Sequence, residues 1–526
     1  MHPATPPNPA ARLFTALLLA AGSLVTSVLL IVWGRVPSRV AYDQMWFHEP
    51  AIRRFMADWP APDLSNYLSA TTPGYHLLMA AFGVISGGAV WVMQLDSALI
   101  GATLLALVGW EAGRAGRRGA FFALPVLTSV YVVSSSAWLL PDNAGWLGVL
   151  LVLLMSLRAA AAGPGWWRWG AGAALVLTLL VFTRQLHLWA AAMVWAGAWV
   201  AVLPITHPAT QESGWKGVAL TAPGVRFTRA VVAGFMTAPA FAVVGGFFLL
   251  WEGLTPPAFH GQYGGSNPAG AAFVLSVIGV YSVFFLPTLL PRLISLWQDH
   301  RGWLLAAAAV GLVLAVLPPT NFDYEAGRRT GLWNLAAKFP EIAGRTSVLI
   351  VPLAVWGAMA GAAWLAMLAA RDRMVVAAGV TGFAAAVSAS PEVWQRYVDP
   401  FVLILFAVIA GRGSEFAKPW LAGGLLKKLE PVGPVALAAL LALVTARGLM
   451  DSRPLDGPPP PLETGDRAGR MDSPVVRYYQ SIGEPVPGPL SEFDIGETGP
   501  TGTGSSGTGP TNTGPSGTGP TGPEGR

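Results

Sequence analysis

Cysteine is absent from the 526 residues, which removes disulfides, zinc-thiolate sites and thiol nucleophiles together. Charge is scarce too. Asp, Glu, Lys and Arg make up 12% of the chain, roughly half the share of an ordinary soluble domain. Uncharged runs such as 13–33 and 435–446 exclude a soluble protein with an oversized core. Lysine is rarest of the charged types, with five among 33 basic residues. No basic tract interleaves with aromatics, so the net charge of +5 implies no nucleic-acid partner. A small-residue cleavage site is missing after the first apolar run, which Arg12 precedes, so that run reads as a retained span and not a signal peptide.

What is present is 53% hydrophobic residues gathered into long runs, which predict an all-α polytopic membrane protein. Thirteen spans are expected, at about 13–33, 90–110, 119–138, 144–158, 170–183, 186–204, 230–251, 269–288, 303–318, 347–370, 374–389, 398–411 and 431–446. The apolar stretch 74–87 is shorter than the ~20 residues a crossing needs, so it is expected to lie in the outer interface. Charge placement supports that choice. With 74–87 not crossing, 17 of the 33 basic residues fall on inner connections, from Arg12 through Arg114, Arg158, Lys216, Arg292 and Arg371 to Lys418 and Lys428, as the positive-inside rule requires.

Ten basic residues then face outward before the tail, in clusters: Arg35, Arg39, Arg53 and Arg54; Arg184; Arg328, Arg329, Lys338 and Arg345; Arg396. Two explanations compete. The arginines hold an anionic ligand such as a phosphate, or they pair with Asp43, Glu49, Asp323, Glu325 and Glu392. Arg184, in the apolar TRQLH break, is costly there unless paired or facing a polar cavity, and Gln185 and His187 flank it.

The longest early polar stretch, 42–75, follows the first span and mixes acids, arginines and aromatics. It lies in an outer loop of 34–89, read as the reaction loop of a membrane glycosyltransferase. Transfer of a sugar from a lipid phosphate needs a base for the acceptor hydroxyl and cations for the departing phosphate. Asp43 is the candidate base, with capping of a helix over 44–56 as the bland alternative. Asp142, in WLLPDNAGW, is the second acid, with an N-cap as its alternative. Together the acids would share the acceptor or hold a divalent ion, Mg or Mn. His48 would bind sugar or pack; His187 would be a core histidine or a site residue; Thr72 and Tyr75 offer hydroxyls, although turn chemistry also explains TTPGY. In the loop after the ninth span, Tyr324, Glu325, Arg328 and Arg329 form a candidate donor-binding lid, and Arg396 with Tyr397 stand at the outer end of the twelfth.

Four pieces carry a family resemblance: Phe47-His48, Thr71-Thr72-Pro73-Gly74-Tyr75, Phe182 with Arg184-Gln185 and Trp189, and Arg396-Tyr397 with Pro400. In this order, over about 13–411, the chain resembles GT-C polyprenyl-phosphate-sugar transferases, and most of all the dolichyl-phosphate-glucose alpha-1,2-glucosyltransferase family. Asp43-Gln44 stands where that family has two adjacent acids. Asp142 after Pro141 resembles the second-loop acid of protein O-mannosyltransferases and of the lipid A aminoarabinose transferase. The resemblance implies a GT-C fold and an inverting displacement in which Asp43 handles the acceptor, Asp142 supports it, and Arg184 with Arg328, Arg329 and Arg396 holds the donor phosphate.

The domain plan is a membrane domain over 1–446, a Pro-rich outer extension over 447–496 and a disordered Thr, Gly, Ser and Pro tail over 497–526. A short amphipathic element is expected at 471–482. No internal repeat appears, which favours an enzyme over a carrier of lipid-linked sugars. Richness in Ala, Arg and Trp with little Lys suggests a bacterial plasma membrane, N-terminus inside and tail outside. The partners expected are a polyprenyl-phosphate sugar and a lipid, glycan or protein acceptor.

Overall fold

In hydrocarbon every backbone N–H and C=O must be paired within its own segment or in a closed barrel, and apolar runs meet that demand as helices. The structure, a computed structural model, describes residues 8–201, 223–413, 425–457 and 474–485. It is helical nearly throughout. Among the described residues the sheet is confined to two short antiparallel pairs, Arg35–Pro37 with Ser452–Pro454 and Glu341–Ile342 with Thr346–Ser347.

Among the described residues, eight helical segments are long and apolar enough to cross a membrane: Pro9–Trp33, Val90–Thr128, Asp142–Ala161, Gly163–Thr183, Gly224–Trp251, Leu286–Val316, Ala370–Ala389 and Val432–Met450. Large apolar side chains such as Phe235, 76% exposed, and Leu249, 80% exposed, lie bare on their outer faces, as a lipid solvent allows. This is an integral membrane protein.

Helix stands at each of the thirteen expected stretches, with differences in form. The stretch 119–138 is two helices, Gly119–Thr128 and Val130–Ala137, which meet at an extended Ser129. The stretch 186–204 opens as a 3-10 turn, Gln185–Ala190, and continues as Ala191–Val200; its end lies outside the described residues, as do Lys216, Lys418 and the 497–526 tail. Gly270–Phe284 and Ile350–Ala366 have 15 and 17 residues. The stretch 303–318 is the second half of Leu286–Val316, which bends at His300.

Small residues set the closest helix contacts. The buried stripe of Pro9–Trp33 includes Ala11, Thr15, Ala16, Leu19, Ser23 and Ser27, and it packs on Val90–Ala112. A Cβ at Gly109 would stand 2.7 Å from the Thr15 carbonyl oxygen, so only glycine permits that approach.

The Gly74–Ile85 helix has 12 residues and runs between the ends of longer helices. At its start the Thr72 hydroxyl donates to the Val181 carbonyl, 2.7 Å, near the end of Trp166–Thr183. At its other end Gly83 lies against Met56, in the Glu49–Ala57 helix, and Met93, in the first turn of the next helix. Tyr75 and Met79 join Ile52, Phe55, Tyr67 and Trp251 in a separate small core that anchors the first loop.

The chain beyond Val432–Met450 returns to that loop. Pairing of Ser452–Pro454 with Arg35–Pro37 places the C-terminal ends of the first and last long helices on one face. The amphipathic element expected at 471–482 is the helix Pro474–Ser481. Its Val475 and Tyr478 are buried with Trp46, Leu68, Ala258 and Phe259, and its Ser481 hydroxyl accepts from Asn66 at 2.9 Å. The opposite face holds a buried ionic network in which Glu111 accepts from Arg12 at 3.2 Å, Arg114 at 2.9 Å and Arg412 at 3.1 Å.

Candidate functional site

Three helix ends and one helical turn meet on the face that carries the first loop. Asp43 begins a wide π turn, Asp43–His48, inside a continuous helical run from Ser38 to Ala57. It sits in helix interior and not at a start, so the capping reading fails; π turns are frequent at functional sites. Asp142 opens Asp142–Ala161 and makes no capping bond there; the Asn143 N–H is met by the Ser135 hydroxyl at 2.8 Å. The N-cap reading fails too. Arg184 is a single extended residue (φ −159°, ψ 106°) between Trp166–Thr183 and the following 3-10 turn, and Arg396 and Tyr397 lie in the first turn of Gln395–Gly413.

These positions bring both acids and two of the arginines into one cluster. Arg396 donates to Asp43 through Nη1 and to Asp142 Oδ2 through Nη2, at 3.1 Å for the second. Arg184 donates to the other oxygen, Asp142 Oδ1. The Tyr397 ring lies 4.5 Å from the Arg184 guanidinium and 5.6 Å from that of Arg396. Arg184 and Asp142 are nearly sealed, with side chains 6% and 5% exposed, while Asp43 is 21% exposed. Two carboxylates and two guanidiniums sum to zero charge, the condition under which buried ions persist.

Two histidines adjoin the cluster from the first loop. His48 Nδ1 and His76 Nε2 are 3.0 Å apart. Burial first, and then the nearby Arg396, pushes the His48 imidazole down to about 3; burial, and then His48, pushes His76 well below its ordinary value. Both are neutral at physiological pH. His187 packs edge-on against Trp146 at 5.1 Å, and neither of its buried ring nitrogens has a hydrogen-bond partner among the described residues.

A second rung continues from Tyr397. Trp394 stacks on it, with centroids 5.8 Å apart and planes 14° apart, and donates its indole N–H to Glu392 at 2.7 Å. Glu392 also accepts from Arg329 at 2.9 Å, whose guanidinium rests 4.5 Å from the Tyr324 ring. Arg329 therefore belongs to the rim of the site. Arg328 does not: it bonds the Asn321 carbonyl at 2.9 Å and Asp323 at 3.3 Å within its own loop. Glu325 is exposed on the same loop. Gln395 ties the loop to the helix by accepting from Leu332 N–H at 2.6 Å and donating to Asp399 at 3.0 Å. A cavity of about 280 Å³, lined by Val277, Val280, Tyr281, Leu332, Leu335 and Gln395, lies beside it.

Three other expected residues serve the scaffold. Gln185 accepts from Thr72 N–H at 2.9 Å and donates to the Ala70 and Leu254 carbonyls at 2.7 and 2.9 Å. The Tyr75 hydroxyl is bonded to that of Ser97 at 2.7 Å. These bonds hold the first loop on the helix ends. Arg53 and Arg54 are likewise paired at short range, with Glu49 at 2.7 Å and Asp58 at 3.1 Å, so part of the outward arginine set answers to local pairing and not to a ligand. Sequence reasoning missed His76 and Trp394 as neighbours of the cluster; TTPGYH and SPEVWQRY, polar letters beside apolar helices, were the available signals.

A divalent ion between the acids does not fit this arrangement, because the Arg396 guanidinium occupies the bridging position between Asp43 and Asp142. The chain matches no family model, no curated protein and no solved structure.

Proposed function

We propose that the protein is a membrane glycosyltransferase that moves a hexose from a polyprenyl-phosphate sugar to an acceptor hydroxyl, with inversion, at the outer face of a bacterial plasma membrane. The observation that carries this reading is the convergence of Asp43, Asp142, Arg184 and Arg396, drawn from four separate connections, at one end of the helix bundle. Acid and guanidinium side by side are what transfer from a phosphate ester demands: an oxygen to orient and deprotonate the nucleophile, and cations to hold the leaving group. The aromatic ladder Tyr397, Trp394 and Tyr324 and the largely apolar cavity beside Gln395 are consistent with a sugar and a prenyl chain. Thirteen crossings, with the N-terminus inside and the C-terminal segment outside, agree with the shared face of 35–37 and 452–454 and with the arginines gathered around Glu111 at the other end.

In the displacement the acceptor oxygen bonds to the anomeric carbon as the bond from that carbon to the phosphate oxygen breaks. The hydroxyl proton passes to Asp43, and the polyprenyl phosphate leaves on Arg184 and Arg396. Asp142 holds both guanidiniums in place.

The test is transfer by purified protein in proteoliposomes, with a panel of radiolabelled polyprenyl-phosphate sugars and membrane extract as acceptor. Label should move from lipid to a new product, fall by about 10² to 10⁴ in Asp43→Asn, and fall in Arg184→Ala. Donor binding or transmembrane movement without transfer, across the acceptor panel, would replace the enzyme with a carrier.

A further inference from the structure

The cluster as it stands presents no free cation to a phosphate: every guanidinium in it already faces a carboxylate. An anion added to this neutral, largely buried set would leave it with net negative charge, which a site so poor in water tolerates badly. One carboxylate must yield.

The geometry indicates which one. Asp142 is held through both oxygens, one to each arginine, at the first residue of a 20-residue helix, and its side chain is 5% exposed. Among the described residues Asp43 has Arg396 as its one ion-pair partner, is the more exposed acid, and begins the π turn within the Ser38 to Ala57 helical run of the first loop. Arg184 is fixed as well, bound to Asp142 with its guanidinium 4.5 Å from the Tyr397 ring. Within the cluster the bond between Arg396 and Asp43 is the one that joins the bundle to the first loop's helical run.

We infer that Arg396 is a counter-ion switch: the donor's phosphate replaces Asp43 on Arg396, and the carboxylate thereby released becomes the oxygen that accepts the bond from the acceptor hydroxyl. Asp142 in this scheme is a positioning residue that keeps both guanidiniums aimed and never leaves them. The inference rests on the transferase reading for the identity of the anion, and it deepens that reading by fixing an order. Donor binds first, and the acceptor's hydrogen-bond partner appears only afterwards. Binding of the two is therefore coupled, each raising the other's affinity by the same factor.

The experiment is equilibrium binding of two probes, inorganic phosphate and farnesyl phosphate, to the full chain in detergent micelles by calorimetry. Asp43→Asn is isosteric and removes the competing charge, so it should bind both probes tighter than the parent by about tenfold or more. Arg396→Ala should lose most of the affinity. Asp142→Asn should weaken binding, because the guanidiniums lose their common anchor. Farnesyl phosphate binding far tighter than inorganic phosphate would identify a lipid phosphate as the anion; equal binding would identify phosphate alone, with the switch intact.

Unchanged or weaker affinity in Asp43→Asn overturns the switch. The same result beside intact sugar transfer by the parent protein leaves the transferase reading standing. Tighter binding in Asp43→Asn from a protein that transfers no sugar to any acceptor does the reverse.

Discussion

Replacing Asp142 with alanine would leave the Arg184 guanidinium, its side chain 6% exposed, without its carboxylate, and Arg396, 16% exposed, with Asp43 alone. Breaking a buried pair from one side costs about 3–5 kcal/mol, and here one truncation strands Arg184 and takes one of two carboxylates from Arg396, which keeps Asp43, so Asp142→Ala should lie within that range. Arg184→Met should cost less, because Asp142 keeps Arg396. In the double variant one uncovered cation is gone. The two losses should therefore fall short of additivity by about 2–3 kcal/mol, the size of coupling expected for residues in one ionic network. The assay is reversible unfolding in mixed micelles, titrated with an anionic detergent and followed by fluorescence of the 22 tryptophans. Additivity within about 0.5 kcal/mol would refute the reasoning, since it would mean that the two side chains are separately solvated and the cluster is not a unit.

Other consequences can be checked with the same preparation. His48 is held down to about 3 in the folded chain against an ordinary 6.5. The unfolded chain therefore takes up the proton first, and stability present above pH 6.5 is lost as pH falls toward 3, by up to ~1.4 kcal/mol per unit for this group. His48→Gln should flatten that slope, and an unaltered slope in the variant would count against the burial argument. At Gly145 an added Cβ would stand 2.7 Å from His187 Nε2, so Gly145→Ala should cost about 1–3 kcal/mol by overpacking; a neutral result in the detergent titration would mean that the imidazole gives way freely. Val475→Asp, at a fully buried position of the Pro474–Ser481 helix, should detach that helix. Deuterium uptake should then rise at Trp46 and Leu68 and stay unchanged in Val90–Ala112, and uniform uptake would show that the docking contact is not local.

The membrane class and the helix positions were legible because hydrocarbon leaves the backbone so little choice; Leu13 to Trp33 could be little else than a helix. Helix interruptions were harder. Ser129 is no stronger a breaker on paper than Ser134, yet the first is extended and the second helical, so residue propensity alone does not place the break. Asp43, Asp142, Arg184 and Arg396 were visible as charges in places that resist charge, and the structure brings all four together. Arg328 carried the same signal and proves to bind its own loop, since a guanidinium near an acid reads alike whether the acid is three residues or three hundred away. Thr72 and Gln185 were read for their hydroxyl and amide, and these are used up on backbone groups: the hydroxyl on the Val181 carbonyl, the amide on the Thr72 N–H and the Ala70 carbonyl. Trp394 and His76 stayed hidden because aromatic rings in a membrane protein are ordinary until one knows what they stack on.

The antiparallel pair of 35–37 with 452–454 joins positions 417 residues apart, as in the bond from Arg35 to Ser452. During synthesis the first loop emerges long before its partner strand exists. Contacts of such sequence separation close late, because the chain entropy of the intervening loop must be overcome first. The loop that bears Asp43 therefore waits, incompletely fastened, until the final helix has been inserted and its trailing strand delivered. A chain halted before Ser452 would hold nearly all of its membrane bundle and still lack this closure, so completion of the site is timed to completion of the protein.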